Sequence, residues 1–186
     1  IKLCLIESKT CKIKKLIYFK SKKIYSNKFV KRIFKKLINN KIMIKNALFS
    51  SVVPEYYIIL KKFVKNSYKI KLKEIKEKDI NKIISINVSN KKQVGSDRIA
   101  NAVAAYKEFK TNCIVLDLGT ATTFDVITSN GKYNGGIIAP GINLSINSLV
   151  NSADQIPPFL IKKQKKVVGK NTIEALRSGF FWGYTG

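Results

Sequence analysis

The sequence predicts an α/β fold, and two observations lead to this prediction. Segments with the apolar pattern of β-strands alternate with segments whose apolar residues recur at helical spacing. The chain has 186 residues, of which 45% are hydrophobic, enough to form a core in one domain or two small lobes. No apolar run approaches the roughly 20 residues that a membrane span needs. We therefore expect a cytoplasmic protein with no membrane partner.

The first half of the chain predicts a hairpin, two helices and two further strands. Short polar turns separate the strand patterns, and the helices show apolar residues every three or four positions. In order, the elements are the hairpin Ile1–Glu7 with Lys12–Phe19, the helix Lys28–Leu37, the strand Ala47–Val53, the helix Glu55–Val64 and a short strand near Ile83–Val88. A lysine-rich stretch, residues 69–82, precedes the last strand.

The second half has fewer charges and more glycine. Cys113–Leu118 is almost continuously apolar, which predicts a strand buried on both faces of its sheet. An Asn-Gly pair within Ser129–Lys132 lies between two strand patterns and predicts a hairpin. In order, the elements are the helix Asp97–Phe109, the strands Cys113–Leu118, Thr122–Thr128 and Tyr133–Ala139, and the helices Ile142–Val150 and Thr172–Tyr184.

The formal charge of +25 is concentrated in the first half of the chain. Residues 1–92 carry 26 Lys or Arg against 5 acids, whereas residues 93–186 carry 10 against 6. Only three of the 36 basic residues are arginine, the side chain suited to paired contacts with phosphate or guanine. We therefore expect solvated lysine surfaces and no nucleic-acid partner, with nucleic-acid binding by the basic half as the alternative.

The absence of histidine excludes Ser-His and Cys-His nucleophilic schemes for this chain. The three cysteines show no C-x-x-C spacing, so neither a disulfide framework nor a zinc site is indicated. Acid and base chemistry therefore falls to carboxylates.

The stretch from Asp117 to Asp125, D-L-G-T-A-T-T-F-D, is the first candidate for chemistry. A strand delivers Asp117 at its carboxyl end, Gly119 permits a tight turn, and Thr120, Thr122 and Thr123 offer hydroxyls before the next strand. Such a turn presents backbone N–H groups to phosphate oxygens while an aspartate holds a cation. A plain hairpin is the alternative.

A second candidate is Gly95-Ser96-Asp97-Arg98, at the start of a predicted helix. In one interpretation, Asp97 is a carboxylate base and Arg98 is a cation that holds an anionic substrate. In the other, Asp97 caps the helix and Arg98 is solvated. Twenty residues separate Asp97 from Asp117, enough for a helix and a return strand that bring both to one sheet edge.

Three further segments are weaker signals. Small residues at 135–141 permit either close backbone approach or close packing. Gly169-Lys170-Asn171-Thr172 enters a helix, where Thr172 is either the N-cap or a substrate contact. The stretch S-S-V-V-P at residues 50–54 is interpreted as a structural strand end.

Taken together, these segments resemble type III pantothenate kinases, in the acetate and sugar kinase, heat-shock ATPase and actin superfamily. The matching segments, in order, are S-S-V-V-P at 50–54, V-G-S-D-R-I-A-N at 94–101, D-L-G-T-A-T-T-F-D at 117–125, G-K-Y-N-G-G-I-I-A-P-G at 131–141 and G-K-N-T at 169–172. The resemblance implies an actin-type fold of two ribonuclease-H-like lobes, here residues 1–92 and 93–186, and a homodimer. It implies transfer of the ATP γ-phosphate to the hydroxyl of pantothenate, the first step towards coenzyme A.

The resemblance also implies a role for each matching residue. Asp97 would be the general base, and Gly95, Ser96, Arg98 and Thr172 would contact pantothenate. Asp117 would bind an activating monovalent cation, potassium or ammonium, while Thr120 and Gly119 would contact ATP. Phosphoryl transfer depends on positioning and charge neutralisation, which carboxylates, cations and backbone donors supply.

Some features of the family pattern are missing from this sequence. The family's D-x-G-N-T turn, which binds ATP phosphates and magnesium, would lie before Ile1, so we expect the main magnesium ligand outside this sequence. Because the sequence starts with Ile1 and stops in a helical pattern at Gly186, we expect truncation at both ends and incomplete nucleotide binding. Val88 and Lys91 replace a usual tyrosine and proline. These departures motivate the alternative of a catalytically silent relative that acts as a regulatory accessory factor.

Overall fold

A computed structural model describes residues 1–38, 42–51, 53–77 and 80–185 of the chain. The predicted α/β class is confirmed, since these residues form eight strands and five α-helices. In chain order they are β1 (Lys2–Ile6), β2 (Ile13–Tyr18), α1 (Asn27–Leu37), β3 (Ala47–Phe49), α2 (Pro54–Tyr68), β4 (Leu72–Glu74), β5 (Ser85–Ile86), α3 (Ser96–Phe109), β6 (Cys113–Leu118), β7 (Ala121–Ile127), β8 (Lys132–Pro140), α4 (Ile142–Ser152) and α5 (Thr172–Thr185). Val52 of the predicted strand Ala47–Val53, and residues 78 and 79 of the lysine-rich stretch, lie outside the described residues.

The chain divides into two compact units. The first comprises Ile1–Ile80 with Lys92–Ala100, and the second comprises Asn81–Lys91 with Asn101–Gly186. The predicted division into lobes between residues 92 and 93 stays a prediction.

The first unit contains the predicted N-terminal hairpin. β1 and β2 pair antiparallel, with Lys2 opposite Tyr18, and α1 packs against both strands. The hydroxyl of Ser26 accepts a hydrogen bond from the Phe29 N–H at 3.3 Å, so α1 begins with a side-chain cap. Its apolar stripe joins α2 and β4 in a buried core that contains Ile24, Val30, Phe34, Leu60, Val64 and Leu72.

This unit contains a second strand pair, which is parallel, and the sequence predicted only one of its two strands. β3 ends at Phe49, four residues before the predicted end of that strand, and pairs with β4. β4 lies inside the lysine-rich stretch, where Leu72 is buried while Lys73 is exposed. Because alternate strand residues face opposite sides, a lysine-rich segment pairs as a strand when its lysine side chains point to solvent.

The second unit contains a four-stranded mixed sheet in the order β5-β8-β7-β6. β5 and β8 are parallel, while β7 pairs antiparallel with both β6 and β8. The Asn-Gly hairpin predicted between β7 and β8 is confirmed: the Gly131 N–H donates to the Thr128 carbonyl at 2.9 Å, and Gly131 has φ +75°.

The prediction that β6 is buried on both faces is wrong. Ile114, Leu116 and Leu118 share one face of the strand and are 67%, 51% and 63% exposed. The apolar run correctly predicted a strand, but these three side chains are left more than half exposed. The sequence shows that a strand face is apolar, but it does not show which element packs against that face.

A buried polar pair lies on the other face of the same sheet. Asp125 is fully buried in β7, and one of its carboxylate oxygens accepts a hydrogen bond of 2.7 Å from the hydroxyl of Tyr133, which is 1% exposed. A buried carboxylate that loses a donor keeps its full desolvation cost. The pair therefore couples β7 to β8 through side chains as well as through the backbone ladder.

We expect Tyr133→Phe to lower the free energy of unfolding by about 1.5–3 kcal/mol, because it removes a donor from a buried charged acceptor. Urea denaturation measures this change. Tyr18→Phe is the matched control, since Tyr18 is 64% exposed, and it should change the free energy by less than about 0.5 kcal/mol. Equal losses in both variants would show that the Tyr133 hydroxyl has no special role.

Candidate functional site

The segment Gly95–Arg98 forms the start of α3 in the first unit. The Gly95 carbonyl accepts the first helical hydrogen bond, from the Ile99 N–H at 3.1 Å. Ser96 is fully buried, and its hydroxyl donates to the Ser51 carbonyl at 2.9 Å while accepting from the Ser51 N–H at 3.1 Å. The Ser96 hydroxyl therefore fixes the position of residue 51, which follows the end of β3 at Phe49.

Asp97 lies in the first turn of α3 and is exposed. One carboxylate oxygen accepts a hydrogen bond of 2.9 Å from the Arg98 N–H. The positive end of the helix dipole favours a negative charge at this position. Asp97 thus has some of the character of a helix-capping residue, while its exposed carboxylate stays accessible to a ligand.

Asp117 and the turn after it lie in the second unit, between β6 and β7. Asp117 is the penultimate residue of β6, is exposed, and accepts a hydrogen bond of 3.0 Å from the side-chain amide of Asn101 in α3. The turn consists of Gly119 and Thr120, both exposed, and the Gly119 N–H donates to the Ala121 carbonyl at 3.0 Å.

The tight turn expected at Gly119 is present, although its backbone conformation does not require glycine. Its φ lies outside the left-handed region, and an added Cβ would meet only the Ala121 carbonyl oxygen at 3.6 Å. The missing side chain instead leaves the outer side of the turn open for close approach by a ligand.

Gly141 closes the inner side of the same turn. Its N–H donates to the Thr120 carbonyl at 2.9 Å, and a Cβ at this position would lie 2.2 Å from the Gly119 carbonyl oxygen and 2.5 Å from that of Thr120. No side chain fits in this space. Of the two interpretations of the small residues at 135–141, Gly141 supports close backbone approach. Gly141 also precedes α4, so the amino-terminal end of this helix lies beside the turn.

The N-cap interpretation of Thr172 is wrong, because Asn171 caps α5. The Asn171 side-chain oxygen accepts from the Glu174 N–H at 2.9 Å, and its carbonyl accepts from the Ala175 N–H at 2.9 Å. The Glu174 carboxylate in turn accepts from the Lys170 N–H at 2.9 Å. These hydrogen bonds engage polar groups of Lys170, Asn171 and Glu174, whereas the side chain of Thr172 stays exposed.

Thr172 lines an open groove of about 800 Å³ in the second unit. The groove follows the small-residue side of α5 and also contacts α4; its lining includes Leu149, Lys170, Thr172, Leu176, Phe180 and Tyr184. The Tyr184 hydroxyl donates to the Pro140 carbonyl at 3.2 Å, next to Gly141. The far end of α5 is therefore fixed to the segment that supports the β6–β7 turn.

The structure brings the sequence-predicted residues together in three places. Gly95, Ser96, Asp97 and Arg98 lie at one helix end in the first unit; Asp117, Gly119 and Thr120 lie at one turn in the second; and Thr172 lies in the groove beside α5. Asn101, Thr123 and Gly141 lie within the candidate segments, but the sequence assigned no specific role to them. The pattern D-x-x-x-N at 97–101 was the available signal for Asn101, since residues four apart share a helix face.

Over the described ranges, no group of three or more Cys, Asp or Glu residues is arranged to hold a metal ion.

We expect Gly141→Ala to destabilise the protein by about 1–3 kcal/mol, because the new methyl group would overlap the backbone of the turn. Thermal and urea unfolding measure the loss. Gly179→Ala is the control: a Cβ at Gly179 would meet nothing within 4 Å, and alanine favours a helix over glycine by about 1 kcal/mol. A stable Gly141→Ala variant would contradict the close approach described above.

Comparisons with known proteins bear on the family of the chain. The family model described as type III pantothenate kinase matches residues 1–186. A type III pantothenate kinase from Pelagibacter ubique (strain HTCC1062) is 48% identical over 185 residues, which are 100% of this chain and 73% of that protein. One from Paramagnetospirillum magneticum (strain ATCC 700264 / AMB-1) is 41% identical over 147 residues, 79% of this chain and 56% of that protein.

The chain also has a weak likeness to a solved structure. The crystal structure of a conserved putative Baf family transcriptional activator from Campylobacter jejuni has a TM-score of 0.49 and 24% identity, over 76% of this chain and 62% of that one. This likeness is too low to support an inference. The family model covers the whole chain, and the Pelagibacter relative is 48% identical across it, so the family prediction is confirmed. The chain belongs to the type III pantothenate kinase family.

Proposed function

We propose that this protein is a pantothenate kinase, which transfers the γ-phosphate of ATP to the hydroxyl of pantothenate and yields 4'-phosphopantothenate. This reaction is the first step of coenzyme A biosynthesis. Family membership supports the proposal, and the structural observation that carries it is the β6–β7 turn, closed by Gly141 on its inner side and open at Gly119 on its outer side. The chain spans about half of the length of several of its relatives, so the activity is proposed for the protein to which this sequence contributes.

We also propose an actin-type arrangement of two ribonuclease-H-like lobes, with residues 1–92 in the first and 93–186 in the second. The mixed sheet of the second unit, with helices following its strands, supports the assignment of that lobe. The strand pairs β1–β2 and β3–β4 are the sheet elements available to the first.

Asp97 is proposed as the general base that accepts the proton of the pantothenate hydroxyl. Its exposed carboxylate at the start of α3 suits this role, and a base within hydrogen-bond reach of the hydroxyl is what the proton transfer requires. Gly95 and Arg98 contact pantothenate in this scheme. Because the Ser96 side chain is used by Ser51, Ser96 contributes through its backbone and by fixing the position of its neighbours.

The β6–β7 turn is proposed to contact ATP through Gly119 and Thr120. Both residues are exposed, and the amino-terminal end of α4 beside the turn adds a partial positive charge that favours phosphate oxygens. Since phosphoryl transfer depends on positioning and charge neutralisation, backbone donors at a rigid turn suffice for this contribution.

Asp117 is proposed to bind a monovalent cation, potassium or ammonium. One carboxylate with neutral oxygen donors matches a single positive charge. Magnesium is the second proposed cation, and over the described ranges no group of three or more acids or cysteines is arranged to hold a metal ion. A bound monovalent cation would supply charge neutralisation beside the phosphates.

Thr172 is proposed to contact pantothenate from the groove along α5. The groove combines apolar side chains with Lys170, a combination that suits a small organic acid. A homodimer remains our expectation for the assembly, and we expect neither a nucleic-acid nor a membrane partner. Over the described ranges, every helix is too short or too polar to cross a membrane.

We expect Asp97→Asn to lower the rate of phosphopantothenate formation at least about 100-fold, since loss of a general base costs roughly this much. The assay contains ATP, magnesium and potassium, and circular dichroism checks the fold. Asp154→Asn is the control, because Asp154 is an exposed acid just after α4. If the protein to which this sequence contributes folds and yields no phosphopantothenate, the proposal is overturned and the silent regulatory relative is favoured.

We expect Thr172→Val to raise the KM for pantothenate about tenfold with little change in kcat, which corresponds to one lost hydrogen bond of about 1.4 kcal/mol. Thr111→Val, another exposed threonine, should leave both constants unchanged. Steady-state kinetics with varied pantothenate distinguish the two variants. An unchanged KM in Thr172→Val would remove Thr172 from the proposed site.

A further inference from the structure

Two adjacent threonine hydroxyls in β7 are buried without a hydrogen-bond partner among the described residues. These are the side-chain oxygens of Thr122, which is 4% exposed, and Thr123, which is partly buried. Most buried hydroxyls in proteins are paired, and an unpaired one costs about 1–3 kcal/mol. Each of the two therefore needs a structural or functional explanation.

The β6–β7 register places Thr123, and not Thr122, beside the proposed cation site. Thr123 lies directly opposite Asp117, whereas Thr122 lies opposite Leu118. Residues that face each other across an antiparallel pair share one side of the sheet, with Cβ atoms about 4.5–5.5 Å apart. Neighbouring residues along a strand point to opposite sides. Thr123 therefore shares a face with Asp117, and Thr122 lies on the other face.

Asn101 adds a third polar group at Asp117. Its amide N–H donates to one carboxylate oxygen of Asp117 at 3.0 Å, which leaves the amide carbonyl oxygen as an acceptor. Asp117, Asn101 and Thr123 all belong to the second unit. Their oxygens comprise one charged carboxylate, one amide carbonyl and one hydroxyl, the kinds of oxygen that hard cations prefer.

We propose that the hydroxyl of Thr123 is a ligand of the monovalent cation held by Asp117, with Asn101 orienting the carboxylate. This inference rests on the proposed cation site at Asp117 and adds a second residue to it. The orphaned hydroxyl is the observation that carries the proposal: a cation satisfies it, and without a cation it remains a cost to the folded state. The set has a net charge of minus one, which matches potassium or ammonium better than magnesium.

The test uses the full chain without nucleotide, so its readout does not depend on catalysis. Thermal unfolding is followed as potassium chloride replaces choline chloride at constant ionic strength. A ligand that binds only the folded state raises the melting temperature as its concentration passes its Kd. We expect potassium to raise the melting temperature of the wild type, and Thr123→Val to raise the half-saturating concentration about tenfold, equivalent to about 1.4 kcal/mol.

Two matched variants sharpen this test. Thr122→Val is the same isosteric change at an equally orphaned hydroxyl on the opposite face, and it should keep the wild-type potassium response. In choline chloride neither valine variant should melt below the wild type, because each removes an unsatisfied hydroxyl. Thr123→Ser keeps the oxygen and should restore most of the potassium response.

Three outcomes would overturn the inference. If Asp117→Asn abolishes the potassium response while Thr123→Val keeps it, Thr123 is not a ligand and the proposed cation site at Asp117 stands. If Thr122→Val weakens the response as much as Thr123→Val does, the effect comes from the strand and not from the hydroxyl. If the wild type does not respond to potassium or ammonium, both the cation site and the Thr123 ligand are overturned, and the kinase assay still tests the proposed activity separately.

Discussion

The candidate site in the second unit depends on one close backbone contact. Gly141 approaches the β6–β7 turn so closely that a Cβ would lie 2.2 Å from the Gly119 carbonyl oxygen, and its N–H donates to Thr120. This contact joins the turn to the end of β8 and the start of α4. Because the turn is fixed on its inner side, a ligand can reach it only from the outer side, where Gly119 and Thr120 are exposed.

The same turn fixes the register of the strands that it connects. Three residues, Gly119 to Ala121, lie between Leu118 and its partner Thr122, and the same register places Asp117 opposite Thr123. A shift by one residue would exchange the two threonines between the faces of the sheet. The position of a hydroxyl beside Asp117 thus follows from the number of residues between the paired positions, and Gly141 packs against the turn that they form.

The sequence predicted most of the fold because the alternation of apolar residues is a local property. The hairpins and the long helices were found within one or a few residues of their ends. The exposed face of β6 and the strand β4 were not found, because the first depends on what packs against the sheet and the second on a partner strand. For the site, the motifs pointed to Asp97, Asp117 and Thr172, and they gave Thr123 only as one of three hydroxyls, because its place opposite Asp117 depends on the strand register.

Within each motif, some polar groups stabilise the local structure and their neighbours stay exposed. The hydroxyl of Ser96 is used by Ser51, which leaves the adjacent Asp97 carboxylate at the surface. Asn171 caps α5, and the adjacent Thr172 faces the groove. Because a group already engaged in a hydrogen bond is costly to redirect, the exposed neighbour is the residue available to a ligand at each proposed contact. Each of these motifs therefore contains one residue that stabilises the local structure and one that is available to a ligand. Only the hydrogen bonds in the structure distinguish the two.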